Sequence, residues 1–199
     1  MAAVAGMIPA LILGAGRSRR MGRPKLALAW GNTTVLGHVL DRYSAAGAAP
    51  IFVVTGAHQQ QVREAAGARK VQFVHNPDYE MGDMLRSIQV GLRRLQQGPY
   101  EACLLAPADL PAIAVSTIER VLSACGERGE LIIPSYEMRR GHPICIGRNY
   151  WQELLDMQED ESLRMLINRH SDAIRYVMVE DDGMHSDLDT FDDYLRLKP

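Results

Sequence analysis

Short apolar runs alternate along this chain with stretches of helical periodicity, and that alternation restricts the fold more than any other feature. Residues 10–13 (ALIL) are apolar and end in glycine, 51–55 (IFVVT) are β-branched, 71–74 and 103–106 are short and apolar, and 131–133 stop at Pro134. Each has the length and composition of a buried strand. Between them, Val35, Leu36, Val39, Leu40 and Tyr43 recur with helical spacing from Thr34 to a stop at Gly47. Residues 57–66 are compatible with a helix, Leu85, Ile88, Leu92 and Leu95 mark one helix face, and 115–125 are helical. This βαβα order predicts a Rossmann-like α/β fold, a mainly parallel sheet with helices on both faces. The last third is less regular, with a strand expected at 143–146, helices at 151–155 and 162–170, a strand at 174–179 and a closing helix at 190–197. No long linker or repeat interrupts the 199 residues, so one domain over 1–199 is expected.

Charge narrows the partners. The chain carries 22 Lys and Arg against 24 Asp and Glu, a formal net charge of −2, so its basic character is local and no nucleic-acid partner is expected. Cys103, Cys125 and Cys145 lie far apart beside apolar residues and form no CxxC pair, which predicts buried thiols in a reducing compartment. No apolar run approaches the roughly 20 residues that span a bilayer, so no membrane partner is expected. The opening MAAVAGM has no charged leader ahead of its apolar residues, and a cytoplasmic location follows as the expectation.

The local basic charge is at residues 11–25, LILGAGRSRRMGRPK, directly behind the first predicted strand. Arg17, Arg19, Arg20, Arg23 and Lys25 fall within nine residues, among Gly14, Gly16 and Gly22. A glycine-rich turn after a strand exposes backbone N–H groups to an anion. The dinucleotide fingerprint G-x-G-x-x-G fails because Arg19 occupies its third glycine position and Pro24 interrupts a helix. The P-loop pattern fails because no glycine here precedes K-[ST]. Two readings remain, a solvated basic surface loop and a cradle for a nucleoside triphosphate. The latter carries about four negative charges and needs several cations to hold it.

The run L-G-A-G-R-S-R-R-M-G-R-P-K, residues 13–25, resembles the L-A-[AG]-G-x-S-x-R-M-G-x-x-K signature of the MobA-like nucleotidyltransferases. Within that group it looks most like the molybdenum cofactor cytidylyltransferases. The resemblance implies a nucleotide-diphospho-sugar-transferase-like fold. It also implies that Leu13, Gly14, Ala15, Gly16, Arg17 and Ser18 wrap a triphosphate while Arg20 and Lys25 touch phosphates. Gly14 stands where the family usually has Ala. Ala15 matches the family's L-A-A-G form associated with CTP, whereas the GTP form tends to L-A-G-G.

Nucleotidyl transfer needs a divalent cation, and Mg²⁺ prefers one or two carboxylates with waters and phosphate oxygens. In PADLP, Asp109 lies just beyond a predicted buried strand, where an open sheet presents ligands, with a plain Asp in a Pro-bounded turn as the alternative. PADLP resembles the family's G-D-M-P or G-D-Q-P segment, which implies Asp109 as a Mg²⁺ ligand. Asp189 ahead of Thr190 suits a helix cap. The stretch D-L-D-T-F-D-D-Y resembles the family's D-I-D-T-P-E-D-Y ending, implying Asp187 at the metal and Asp189 in support of the turn, with Phe191 in place of Pro.

Arg140, Gly141 and His142 with Pro143 match the family's R-G-H-P, a turn on the acceptor side, where a buried histidine before proline is the plain alternative. Residues 76–92 resemble N-P-x-x-x-x-G-M-x-S-S-x-x-x-G-L, which the family places around base and ribose. Asp83 is an additional residue there, and the paired serines appear as Arg86-Ser87, leaving Ser87 as the nucleotide candidate. The resemblance implies transfer of CMP from CTP to the terminal phosphate of a molybdopterin-type acceptor, with Arg20, Lys25 and Asp109 in catalytic roles. A molybdoenzyme or its chaperone would be the downstream partner. A guanylyltransferase, a sugar- or polyol-phosphate nucleotidyltransferase and a non-catalytic nucleotide-sensing protein are the alternatives.

Overall fold

Leu11, Phe52, Cys103 and Leu105 pack into one core layer, while Ile12, Val53 and Leu104 pack into another, and all are buried. Alternate residues of one strand therefore serve two cores, which explains why these strands are apolar throughout. The computed structural model describes residues 7–81, 84–125 and 130–199. The first six residues and the Gly82-Asp83 departure lie outside the described residues.

The strands are β1 (Ala10–Gly14), β2 (Ala29–Trp30), β3 (Thr33–Thr34), β4 (Ile51–Thr55), β5 (Val71–His75), β6 (Ala102–Pro107), β7 (Leu131–Tyr136), β8 (Arg139–Arg140), β9 (Ile144–Gly147) and β10 (Ile174–Met178). The helices are α1 (Val35–Ala45), α2 (Gln59–Ala66), α3 (Met84–Leu95), α4 (Val115–Ala124), α5 (Trp151–Asp156), α6 (Leu163–Arg169) and α7 (Phe191–Leu197). The sheet runs β10-β7-β9-β6-β1-β4-β5, with β8 paired to β7. One core lies under α1, α2 and α4 and the other under α3, α5 and α6, so the sheet is covered on both faces as the βαβα order predicts.

Three features depart from the sequence expectation. First, β9 runs antiparallel between β6 and β7, so the sheet is mixed though mainly parallel. Second, β7 does not stop at Pro134 but continues to Tyr136. Pairing with β9 ends at Ile132, and beyond it the Pro134 carbonyl accepts the Gly141 N–H at 2.9 Å, so the strand keeps a partner on that side although proline has no N–H to donate. Third, Cys125 at the end of α4 and Cys145 on β9 are joined as a disulfide with Cα atoms 6.6 Å apart. The expectation of buried thiols holds for Cys103 alone, whose thiol burial pushes up to about 12. Packing of α4 on the sheet, not spacing in sequence, brings the pair together.

Helix ends follow local chemistry. The Thr34 hydroxyl accepts the Gly37 N–H at 2.9 Å to start α1, and Gly47, at φ 90°, ends the turn after it. Thr190 and Asp193 form a reciprocal capping box on α7, so Phe191 in place of proline leaves the helix start intact. Among the described residues no helix is long and apolar enough to cross a membrane.

Candidate active site

β6, β1, β4 and β5 are parallel neighbours, so the loops leaving their C-terminal ends emerge side by side along one sheet edge. There they enclose a cleft of about 460 Å³. Leu13, Gly14, Ala15, Gly16, Arg17, Ser18, Arg20, Lys25, Ser87 and Asp109 all line it, as do Arg19, Tyr79, Met84 and Asp189.

The basic loop is folded on itself. Ser18 takes φ 48°, and its carbonyl accepts the N–H groups of Met21 and Gly22 at 3.1 Å each. Its hydroxyl accepts the Lys25 N–H at 3.3 Å. Gly22, at φ 65°, supplies a second left-handed residue that costs glycine little. Gly14 fits closely, since a Cβ there would lie 3.2 Å from the Val54 carbonyl and from Leu26. Gly56, which sequence reasoning missed, lets the loop come near, because its Cβ would meet the Ala15 carbonyl at 2.5 Å.

The cations divide by destination. Lys25 Nζ contacts the Asp109 carboxylate, donates to the Leu188 carbonyl at 3.0 Å and lies 3.9 Å from Asp189. Arg20 contacts Asp189. Arg17 reaches the Glu80 carbonyl at 3.4 Å, while Arg23 turns out of the cleft and covers the Phe191 ring at 4.9 Å. Arg17, Arg19, Arg20 and Lys25 thus face the cleft with Asp109 and Asp189, and the balance favours a polyanion.

Two carboxylates and one carbonyl converge on the Lys25 ammonium, an all-oxygen set suited to a hard divalent cation. Among the described residues no group of three or more His, Cys, Asp or Glu side chains is gathered to hold an ion. A cation here would therefore be held by one or two carboxylates with phosphate oxygens, the arrangement Mg²⁺ favours, and the residues fit it.

Asp187 is exposed and does not line this cleft. It borders an adjoining depression of about 570 Å³ between the 136–139 turn and the 182–196 segment, and Asp189 lines both. Leu188 is buried between the two acids, and its N–H donates to the Asp109 carbonyl at 3.0 Å.

The expected acceptor-side residues part company. Arg140 is turned away, with Nε on the Tyr176 hydroxyl at 2.8 Å and Nη1 on Asn168 at 3.1 Å. Gly141 is buried against Met184, whose Sδ would lie 2.4 Å from an added Cβ. His142 has Nδ1 3.4 Å from the Leu105 carbonyl. Burial holds its imidazole below the usual range, opposed by the Leu105 carbonyl and the Asp109 carboxylate, so the ring is neutral at pH 7. Arg86 also leaves the cleft, pairing with Glu159 at 2.7 Å.

Asp181 is the main residue that sequence reasoning missed. Its buried carboxylate accepts the Ala114 N–H at 2.9 Å, the Thr117 hydroxyl at 2.7 Å and the Gly183 N–H at 3.0 Å. It caps α4, whose own Ala114 has no side chain to do so, and thereby fixes the segment bearing Asp187 and Asp189 beside the turn after Asp109. Asp181→Ala leaves these donors buried without an acceptor and is expected to cost about 1–3 kcal/mol. Thermal denaturation measures this, and an unchanged Tm refutes the capping role.

The MobA-like NTP transferase domain matches residues 10–174. The molybdenum cofactor cytidylyltransferase of Escherichia coli (strain K12) is 26% identical over 194 residues, spanning 96% of this chain and 95% of its own. The crystal structure of Rv0371c from Mycobacterium tuberculosis H37Rv in complex with manganese superposes with a TM-score of 0.80 at 28% identity, covering 96% of this chain and 98% of that one. The 4-diphosphocytidyl-2C-methyl-D-erythritol synthase of Anaerococcus prevotii DSM 20548 shares the fold, with a TM-score of 0.73 at 14% identity over 96% of this chain and 93% of its own. The glycine-rich basic loop, the acidic partners beside it and the match over most of the chain agree: this protein belongs to the MobA-like NTP transferase family and is a nucleotidyltransferase.

Proposed function

We propose that the protein transfers CMP from CTP to the terminal phosphate of molybdopterin, releasing pyrophosphate, with Mg²⁺ as its divalent ion. One observation carries the reading: Lys25 and Arg20 of the basic loop meet Asp109 and Asp189 at the floor of one cleft. The full-length similarity to a cytidylyltransferase and Ala15 in the loop favour cytidine. The manganese-bound relative supports a divalent ion.

In this mechanism the acceptor phosphate is already ionised near neutral pH, so no strong general base is required. One of its oxygens attacks the α-phosphorus of CTP in line. The new P–O bond forms as the bond from the α-phosphorus to the bridging oxygen breaks, and pyrophosphate leaves with the electron pair. The loop from Leu13 to Ser18 holds the triphosphate, with its Gly14 and Gly16 backbone close to the phosphates, while Arg20 and Lys25 bind the departing charge. Asp109 would hold the ion, joined by Asp187 or by Asp189, which lines the same cleft. Mg²⁺, when bound, neutralises charge on the α-phosphate and pyrophosphate. Ser87 contacts the nucleoside, and His142 lies on the acceptor side with Gly141 and Arg140 behind it. The product then passes to a molybdoenzyme or its chaperone.

Thermal stabilisation by each of the four NTPs with Mg²⁺, followed by pyrophosphate release with molybdopterin, tests this. CTP is expected to stabilise most and to turn over with molybdopterin. A larger shift with GTP makes the enzyme a guanylyltransferase, turnover only with sugar or polyol phosphates replaces the acceptor, and binding without any turnover marks a nucleotide sensor.

A further inference from the structure

Asn76, directly after β5, is fully buried, and its neighbours determine which way its amide faces. The Asp78 N–H lies 3.0 Å from one of its side-chain atoms, and since an N–H only donates, that atom is the oxygen. The other atom is then the NH₂, which only donates, and it stands 3.1 Å from Ser87 Oγ. Ser87 therefore accepts from Asn76, and its own proton must point elsewhere. Among the described residues no protein acceptor takes that proton, while Ser87 lines the cleft from the first turn of α3.

The position of this pair along the sheet edge suggests its partner. Asp109 follows β6, the basic loop follows β1, and Asn76 follows β5, with β4 between. At a strand spacing of about 4.8 Å, β6 and β5 are about 14 Å apart. The cleft thus has a charged end at β6 and β1 and an uncharged polar end at β5, separated by the reach of a nucleotide from its phosphates to its base. A neutral heterocycle bearing carbonyl or ring-nitrogen acceptors matches a hydroxyl held as a donor.

Resting on the nucleotidyltransferase reading of the cleft, we propose that Asn76 is a positioning residue that makes Ser87 an obligate hydrogen-bond donor to the nucleotide base. Asn76→Asp tests this directly. Its carboxylate still accepts from Asp78 but now also accepts from Ser87, drawing the hydroxyl proton back from the cleft.

Isothermal titration with CTP and with ribose 5-triphosphate, which lacks a base, is carried out with Mg²⁺ on the wild type, Asn76→Asp, Ser87→Ala and the double variant. The Kd for CTP is expected to rise about three- to tenfold in Asn76→Asp, the loss of one neutral hydrogen bond. Ribose 5-triphosphate should bind unchanged, and Asn76→Asp should add nothing once Ser87 is alanine. Equal losses for both ligands overturn the proposal, as does an undiminished Asn76→Asp effect in the Ser87→Ala background. Should Asn76→Asp not fold, Ser87→Ala alone decides: a loss confined to CTP upholds the donor, whereas unaltered CTP binding means the hydroxyl bonds back to its own helix and refutes it. A wild type that binds neither CTP nor ribose 5-triphosphate overturns the nucleotide reading itself, a result distinct from failure of the Asn76 role.

Discussion

Asp109→Ala abolishes metal-dependent pyrophosphate release while the protein stays folded. The residue sits on the turn after β6 with its side chain 19% exposed, at the rim of the core rather than within it. Removing it leaves Lys25 without its nearest carboxylate. The ammonium still has the Leu188 carbonyl at 3.0 Å and Asp189 at 3.9 Å, so the charge is not stranded as it would be in a closed core. The stability loss is therefore about 1–2 kcal/mol, below the 3–5 typical of breaking a fully buried pair. The chemical loss is far larger, because one preorganised charge-stabilising group is commonly worth about 10²–10³ in rate. Pyrophosphate release as a function of Mg²⁺, read beside the Tm, separates the two effects. Asp109→Asn, which keeps the shape and removes the charge, should be almost as inactive with a smaller change in Tm. A wild-type rate in either variant sinks the metal assignment.

Lys25→Ala weakens CTP binding far more than CMP binding. An ammonium on the β- or γ-phosphate contributes a charge-assisted hydrogen bond worth about 1.5–3 kcal/mol, or roughly 10- to 150-fold in Kd for CTP. CMP lacks those phosphates and should lose little. The same substitution leaves Asp109 and Asp189 facing the cleft without the cation that lies between them, which adds repulsion toward any polyphosphate. Lys25→Arg is not expected to restore binding, since a planar guanidinium does not fit where a single point charge meets two carboxylates and the Leu188 carbonyl. Titrations of CTP and CMP in parallel measure the contrast, and equal losses refute the phosphate role.

Most strands and helices are legible in the sequence because their signals are local. The IFVVT run is short, apolar and β-branched, while the α1 stripe ended at Gly47 and the α3 face carry the helical period. β2 and β3 are two residues each, too short for any period to register, and they are held by the burial of Trp30 against Tyr194 and His38. β9 reads as a strand, yet nothing local says that it enters antiparallel, because direction is set by its partners on either side.

The site divides along the same line. The spacing of Gly14, Gly16, Arg20 and Lys25 belongs to one continuous turn after one strand, so the sequence alone determined a glycine-rich basic loop and the end of the sheet where it sits. Which acid meets it was decided only in three dimensions. Asp187 and Asp189 are two residues apart and carry the same charge, but Leu188 buries itself between them and Asp181 ties the segment to α4. That docking turns Asp189 toward Lys25 and Arg20 and leaves Asp187 exposed on the adjoining depression. Arg140 and His142 separate likewise, since packing against Tyr176 and Asn168 captures the arginine while the histidine turns inward to Leu105. A sequence encodes the geometry of a turn through the backbone freedom of its own residues. The direction of a side chain on a segment held by distant contacts is settled by those contacts, and only the tertiary structure contains them.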